Sequence, residues 1–237
     1  MTIVHLPRVD STQGTIFDLA AQGAADRTVV VADYQAAGRG RRGRAWDAPA
    51  GTGLLTSVLL RPRSAREHWG GYSLVSALAV TDALARVAGL GSRLKWPNDV
   101  LVGGRKIAGI LLESAVGQTG RVEHVVAGIG VNVGFAPQLP DMRYRGAALG
   151  GSVEAAMEKL TAALARQLAR WRREGFTAVR AAWLAKAGPL GAKVDVRLGE
   201  ELVRGRFAGL DPDGALLLDT AAGPRRIVSG ELLGRAA

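Results

Sequence analysis

The pattern of apolar residues changes abruptly at Gly188-Pro189, and this change most constrains the fold. Before it, β-branched runs such as Thr28–Tyr34 alternate with helical spacing such as that of Tyr72–Val87. After it, short apolar segments are separated by turn residues, at Lys193–Leu198, Leu202–Leu210, Leu216–Leu218 and Arg226–Val228. We therefore predict an α+β main domain over residues 1–187 and a small β-barrel over residues 188–237.

The other elements of the main domain follow from capping residues, periodicity and turn residues. Asp10-Ser11-Thr12 supplies N-cap side chains for a helix over Gln13–Gln22. Gly89 should end the helix over residues 72–87, and Gly103-Gly104 predicts a hairpin turn. The remaining predicted elements are strands at Leu54–Leu60, Val100–Val102, Lys106–Leu112 and Val122–Val133, and helices at Val153–Arg173 and Phe176–Lys186.

Several classes of chemistry are excluded by composition. The chain has no cysteine, which rules out disulfides, thiolate nucleophiles and cysteine-ligated metals. The three histidines, His5, His68 and His124, are scattered and form no His-Glu-x-x-His pair, so a histidine-based metal site is not expected. No apolar run approaches the ~18 residues of a membrane span, and residues 1–8 lack the features of a secretory signal. We expect a cytoplasmic protein with no membrane partner.

The excess positive charge lies in the larger part of the chain. The net charge is +10, and residues 188–237 carry equal numbers of basic and acidic side chains, so residues 1–187 hold all of the excess. Such an excess is typical of a site that receives phosphates or another polyanion. A generally basic surface accounts for it equally well, and a pI of about 10.9 also leaves open a non-enzymatic nucleic-acid-binding protein.

A glycine- and arginine-rich loop follows the first predicted strand. The segment Gly38–Arg44 contains Gly-x-Gly-x-x-Gly, which alone would suggest a dinucleotide-binding turn. The following residues, Ala48–Gly53, cannot start the helix that such a turn requires, so we reject that interpretation. Four guanidinium groups on a glycine-rich backbone instead predict a loop that is mobile when empty and closes over a bound anion. A solvated basic loop remains the alternative.

A second polar segment, Lys95-Trp96-Pro97-Asn98-Asp99, lies at the end of a predicted strand. Pro97 restricts the backbone, so the Asn98 and Asp99 side chains should point in defined directions. Lys106 follows at the start of the next strand. Each residue also has a simpler interpretation: Pro97-Asn98-Asp99 as an ordinary turn, Trp96 as a core residue and Lys106 as a surface lysine.

Taken in order along the chain, these segments resemble the biotin–protein ligase family. The motifs that carry the resemblance are Asp10-Ser11-Thr12, Tyr34-Gln35, the Gly38–Arg44 loop, Lys95–Asp99, Arg105–Leu111 and Gly128–Asn132. The resemblance runs from about residue 9 to residue 134 with specific motifs, and more loosely to the C-terminus. It implies a catalytic domain related to class II aminoacyl-tRNA synthetases, with a mixed β-sheet flanked by helices, and a C-terminal SH3-like β-barrel.

The resemblance also implies a reaction and its partners. Biotin and MgATP would give biotinyl-adenylate and pyrophosphate, and a lysine of a biotin carboxyl carrier protein or domain of a carboxylase would then attack the adenylate. No specific nucleic acid is expected, and the protein would be a monomer or a homodimer. Nine residues precede Asp10, too few for the helix-turn-helix domain of the family's repressor members, so no operator-binding role is expected.

Site residues can be carried over position by position. Lys106, Arg41 and Asp99 are implied as catalytic, with Mg²⁺ entering with ATP near Asp99 and no firm protein ligand. Biotin would contact Ser11, Thr12, Gln13, Gln35, Arg39, Gly40, Arg41 and Lys106. The nucleotide would contact Arg39, Arg41, Arg44, Trp46, Asn98, Lys106 and Asn132.

One departure and one rival accompany the resemblance. The family commonly has asparagine where this chain has Gln13, and the extra methylene could shift a hydrogen bond at the ureido end of biotin. A lipoate–protein ligase or octanoyltransferase of the same superfamily is the rival, and the arginine loop together with Lys95–Asp99 favours biotin.

Overall fold

Residues 1–62, 70–118, 120–137 and 145–233 are described by the computed structural model. The main sheet has seven strands in the order β1-β2-β3-β7-β6-β5-β4. Strands β1 and β2 are parallel and every other pair is antiparallel, which confirms the predicted mixed sheet. The strands are β1 (Thr2–Leu6), β2 (Thr28–Ala32), β3 (Gly53–Leu60), β4 (Arg93–Lys95), β5 (Asp99–Val102), β6 (Arg105–Val116) and β7 (Val122–Asn132).

In the described residues, four α-helices accompany this sheet: α1 (Thr12–Ala21), α2 (Gly71–Ala88), α3 (Val153–Glu174) and α4 (Phe176–Lys186). Helix α1 begins where the sequence predicts, because the Ser11 side chain accepts a hydrogen bond from the Gln13 N–H. Helix α2 ends at Gly89, whose positive φ of 65° is accessible to glycine at low cost. The apolar residues of α2 are buried beneath α3, and Ser152 caps the start of α3 in the same way as Ser11 caps α1.

The C-terminal part forms an antiparallel sheet of five strands in the order β11-β10-β9-β8-β12. The strands are β8 (Lys193–Leu198), β9 (Glu201–Leu210), β10 (Leu216–Thr220), β11 (Gly223–Ile227) and β12 (Glu231–Leu233). This arrangement is consistent with an SH3-like domain. Among the described residues, β11 and β12 lie at opposite edges and no pairing joins them, so the sheet does not close into the predicted barrel.

The larger of two hydrophobic core clusters in the described residues joins the two sheets. It runs from β3 and α2 through Trp183 of α4 to Val196 and Phe207 of the C-terminal sheet. Trp96, which is only 3% exposed, donates its Nε1–H to the carbonyl of Gly214, 3.2 Å away. The tryptophan of the Lys95–Asp99 segment is therefore a core residue that links the two sheets. The boundary between residues 187 and 188 stays a prediction.

Candidate active site

A cavity of about 460 Å³ is lined by strands of the main sheet, the glycine–arginine loop and strand β12. All of the side chains and backbone positions expected from the sequence lie in its wall. These are Ser11, Thr12, Gln13, Gln35, Arg39, Gly40, Arg41, Arg44, Trp46, Asn98, Asp99, Lys106 and Asn132. The fold thus brings together motifs that are up to 121 residues apart in the chain, from Ser11 to Asn132.

The uncharged end of the cavity lies at the start of α1. The Thr12 N–H and hydroxyl both donate to Oε1 of Gln35, at 2.7 and 3.0 Å. The same hydroxyl lies 2.8 Å from the Ser57 hydroxyl, and Thr12 is buried. Because these bonds orient the Gln35 amide and the Thr12 hydroxyl, which line the cavity, this end presents fixed polar groups to a neutral polar ligand.

Gln13 extends across the main sheet instead of pointing to solvent. Its Nε2 donates to the carbonyl of Leu111 on β6 at 3.3 Å, and the residue is 4% exposed. A Cβ atom on Gly128 would lie 2.0 Å from Gln13 Oε1. The Gln13 side chain therefore fits only because β7 has a glycine at position 128. Its amide reaches β6, where it bonds to the Leu111 carbonyl.

Trp46 lies flat against two strands in the middle of the cavity. Its indole occupies space that a side chain at Gly130 would fill, since a Cβ atom there would lie 2.3 Å from the ring. A Cβ atom on Gly109 would lie 3.0 Å from the same ring. The Lys106 ammonium lies 5.5 Å from the ring centroid, within the range of a cation–π contact. Glycines in β6 and β7 thus make room for the tryptophan.

The charged end of the cavity centres on Asp99. One carboxylate oxygen lies 2.6 Å from Lys106 Nζ and the other lies 3.9 Å from Lys95 Nζ. Asp99 and Lys106 are on paired strands, β5 and β6, and Lys95 is only 9% exposed. A carboxylate between two lysines at the wall of a cavity fixes both ammonium groups near an incoming anion.

Asn98 and Asn132 are held mainly by the backbone. Asn98 donates from Nδ2 to the carbonyl of Ile110 at 2.8 Å, and its Oδ1 accepts a bond from Arg41 at 3.4 Å. Asn132 donates to the carbonyls of Lys106 and Ala147, at 3.3 and 3.0 Å. Both asparagine side chains are therefore held in place on the wall of the cavity by backbone carbonyls.

The arginine loop contacts acidic side chains of two strands, β6 and β12. Arg39 lies 3.6 Å from Glu113 on β6, whereas Arg44 contacts both carboxylate oxygens of Glu231 on β12 at 2.9 Å. Arg41 is partly buried, and burial, with Arg42 close by, lowers the pKa of its guanidinium. The cavity wall holds six basic side chains against three acidic ones, which favours an anionic ligand.

Sequence reasoning assigned no role to several residues of this wall, among them Lys95, Glu231 and Leu232. Lys95 belongs to a recognised motif, but nothing in the sequence indicates that its ammonium is buried beside Asp99. Glu231 and Leu232 lie on a three-residue strand that no periodicity can reveal.

No group of three or more histidine and acidic side chains suited to a metal occurs within the described ranges. His68 lies outside them. Asp99, the one acid near which the sequence placed Mg²⁺, is instead paired with two lysines. Nor does any helix in the part of the chain that the structure describes have the length and apolarity to cross a membrane.

Comparison with known proteins agrees with this geometry. Residues 5–132 match the Biotin/lipoate A/B protein ligase family, and residues 190–232 match the biotin protein ligase C-terminal domain. A biotin–[acetyl-CoA-carboxylase] ligase of Paracoccus denitrificans is 40% identical over 96% of this chain and 98% of its own length. One from Mycobacterium tuberculosis is 34% identical over 94% of this chain and 85% of its own.

A solved structure gives the same result for the fold. The biotin protein ligase of Aquifex aeolicus, in complex with biotin and ATP, superposes with a TM-score of 0.82 at 30% identity. The match covers 100% of this chain and 99% of that one. The fold, the motifs gathered at one cavity and these similarities together show that the chain belongs to the biotin/lipoate A/B protein ligase family.

Proposed function

We propose that the protein is a biotin–protein ligase, which activates biotin with ATP and transfers it to a lysine of a biotin carboxyl carrier domain. The observation that carries this proposal is the division of one cavity into two ends. Thr12 and Gln35 form an uncharged hydrogen-bonding end, whereas Lys106 and the loop arginines form a cationic end. Biotin has a neutral ureido head and a carboxylate, and that carboxylate must meet the phosphates of ATP.

Adenylate formation brings like charges together. A carboxylate oxygen of biotin attacks the α-phosphorus of ATP, the bond to the bridging oxygen breaks, and pyrophosphate leaves with that oxygen. Lys106 Nζ, held by Asp99 at 2.6 Å, supplies a fixed positive charge at this end of the cavity. Preorganised cations lower the barrier of such a step because they need not reorient as the charge develops.

Transfer to the acceptor completes the cycle. The unprotonated ε-amine of the acceptor lysine attacks the acyl carbon of the adenylate, AMP leaves as its phosphate anion, and the new amide nitrogen loses a proton to solvent. Loop arginines that remain on the phosphate would keep water away from the mixed anhydride until the acceptor arrives. Arg41 is the arginine best placed for this role, because it contacts Asn98 at the cationic end.

Mg²⁺ enters this proposal as part of the substrate MgATP. Asp99 is a carboxylate on the cavity wall, but it is paired with two lysines, and Mg²⁺ commonly relies on substrate phosphates with only one or two protein carboxylates. We therefore assign no protein ligand to the metal.

All of the residues that the proposal uses lie in one chain, so either a monomer or a homodimer could act, and sedimentation distinguishes them. Because the reaction consumes ATP, we place the proposed activity in the cytoplasm, which cell fractionation tests.

Lipoate is the competing substrate, since the family name covers both. The hydrogen-bonding groups of Thr12 and Gln35 favour biotin, because a dithiolane ring offers them no donor or strong acceptor. Calorimetric titration with biotin, with and without ATP, and with lipoate as the control tests the proposal. We expect biotin to bind alone and far more tightly once the adenylate forms, with no heat from lipoate. Binding of lipoate in place of biotin would overturn the substrate assignment.

A further inference from the structure

We propose that Glu231 is a positioning residue that holds the arginine loop against the C-terminal sheet, so that this sheet controls retention of the acyl-adenylate. The proposal rests on the proposed function and deepens it. Its starting point is that three of the four loop arginines reach the same short segment, Ser229–Glu231, which lies at the entry of β12.

The contacts converge from successive residues of the loop. Arg41 donates to the Gly230 carbonyl at 3.2 Å and to the Ser229 hydroxyl at 3.4 Å. Arg42 lies 3.5 Å from a Glu231 oxygen, and Arg44 donates to both oxygens of the same carboxylate at 2.9 Å. Glu231 is therefore the acid that two loop arginines share, next to the backbone carbonyl that binds the third.

The Glu231 carboxylate is a firmer anchor than an ordinary surface acid. Its side chain is 18% exposed, and its backbone pairs with Arg197 of β8. Arg42 adds a hydrogen bond to the Arg197 carbonyl at 3.3 Å, which ties the loop to the same strand pair. On the other side of the cavity, Arg39 faces Glu113 at 3.6 Å, so that link is longer. The closer attachment of the loop is to the C-terminal sheet.

Such an anchor matters because the loop is costly to order. Glycines at positions 38, 40 and 43 leave many backbone conformations open, and like-charged arginines repel each other when no anion lies between them. A carboxylate that neutralises two of these cations lowers this repulsion and favours the assembled loop. It also leaves Arg41 on the cationic side, next to Asn98, where the proposed adenylate phosphate would lie.

Glu231→Gln tests the proposal, because glutamine keeps the size of the side chain and removes the charge. Glu201→Gln is the matched control: Glu201 lies in the same C-terminal sheet and pairs with Arg225 at 2.7 Å, away from the loop. Hydrogen–deuterium exchange of the 38–46 peptide in the ligand-free protein reports loop opening. We expect about fivefold faster exchange in Glu231→Gln, the size of one partly exposed ion pair, and no change in the control. Unchanged exchange in Glu231→Gln would overturn the proposal.

The second readout is the fate of the adenylate. With biotin and ATP as substrates, we expect Glu231→Gln to form adenylate at nearly the parent rate but to release it about fivefold faster, measured as AMP formed without acceptor. A defect confined to adenylate formation, with release unchanged, would contradict a positioning role. Arg44→Gln should reproduce the release phenotype, and the double variant should exceed neither single variant; additive effects would show that the two side chains do not act as a pair.

The two hypotheses fail separately. If the parent protein makes no adenylate from biotin and ATP, the proposed function is wrong, yet the exchange measurement still tests the anchor. If adenylate forms and Glu231→Gln changes neither exchange nor release, only the anchor is wrong. Thermal unfolding of both variants identifies any general loss of stability.

Discussion

Replacing Gly130 with alanine would put a methyl group where the indole of Trp46 lies. The new Cβ atom would be 2.3 Å from one ring atom and 2.6 Å from two others. Gly130 does not have a positive φ, so its backbone accepts alanine without strain. The ring is rigid, and it must leave the strand surface to relieve the clash.

The size of the effect follows from two losses. Overpacking of this kind costs about 1–3 kcal/mol, and displacing the ring from Lys106, 5.5 Å away, removes a cation–π contact worth about 0.5–1 kcal/mol. We expect ATP binding to lose about 2 kcal/mol of free energy, which raises the dissociation constant of ATP about thirtyfold. Since Thr12 and Gln35 lie at the other end of the cavity, binding of biotin alone should weaken much less.

The assay is calorimetric binding of biotin and of ATP, measured separately and then together. Gly91→Ala is the control, because a Cβ atom at Gly91 meets nothing within 4 Å. Gly128→Ala gives the opposite test: its Cβ atom would lie 2.0 Å from Gln13 Oε1, so biotin binding should suffer first. Equal losses for biotin and ATP in both variants would refute the assignment of the two ends.

Three further predictions concern charged groups. Asp99→Asn leaves Lys106 and Lys95 facing each other without their shared acid, so we expect a loss of about 2 kcal/mol in unfolding free energy and slower adenylate formation, seen by chemical denaturation and pyrophosphate release. Arg41→Gly should release adenylate that labels bulk lysines, and labelling no faster than the parent would count against the retention role. Burial lowers the pKa of His124 below its usual value near 6.5, so the neutral form is favoured in the folded state. Stability should therefore be complete above this value and fall as the pH drops below it, and His124→Phe should reduce that fall in melting temperature.

Much of the fold can be predicted from local chemistry. The Ser11 cap, the Gly89 stop and the Gly103-Gly104 turn lie where the sequence puts them, because each depends on neighbouring residues only. Strand β12 was missed, since three residues are too few to show a period and its pairing with β8 joins distant parts of the chain.

The site, like the fold, has a part that the sequence predicts and a part that it does not. The expected site residues are predictable as a group from the motifs, and the structure brings all of these site residues to one cavity. Their contacts are not predictable: the bonds from Arg41 to Ser229 and Gly230 span 188 and 189 residues of chain. Burial of Lys95 next to Asp99 likewise depends on how β4 and β5 pack, which no spacing in the sequence records.

The contact between Trp96 and Gly214 has a consequence during protein synthesis. Trp96 leaves the ribosome long before residue 214, so during that interval the indole N–H has no carbonyl to bind and the shared core has no C-terminal cover. The arginine loop likewise waits for Ser229–Glu231 before it can be anchored. We expect nascent chains to lose any adenylate they form quickly until β12 has been translated, so that retention of the reactive acyl phosphate begins only when this strand is in place.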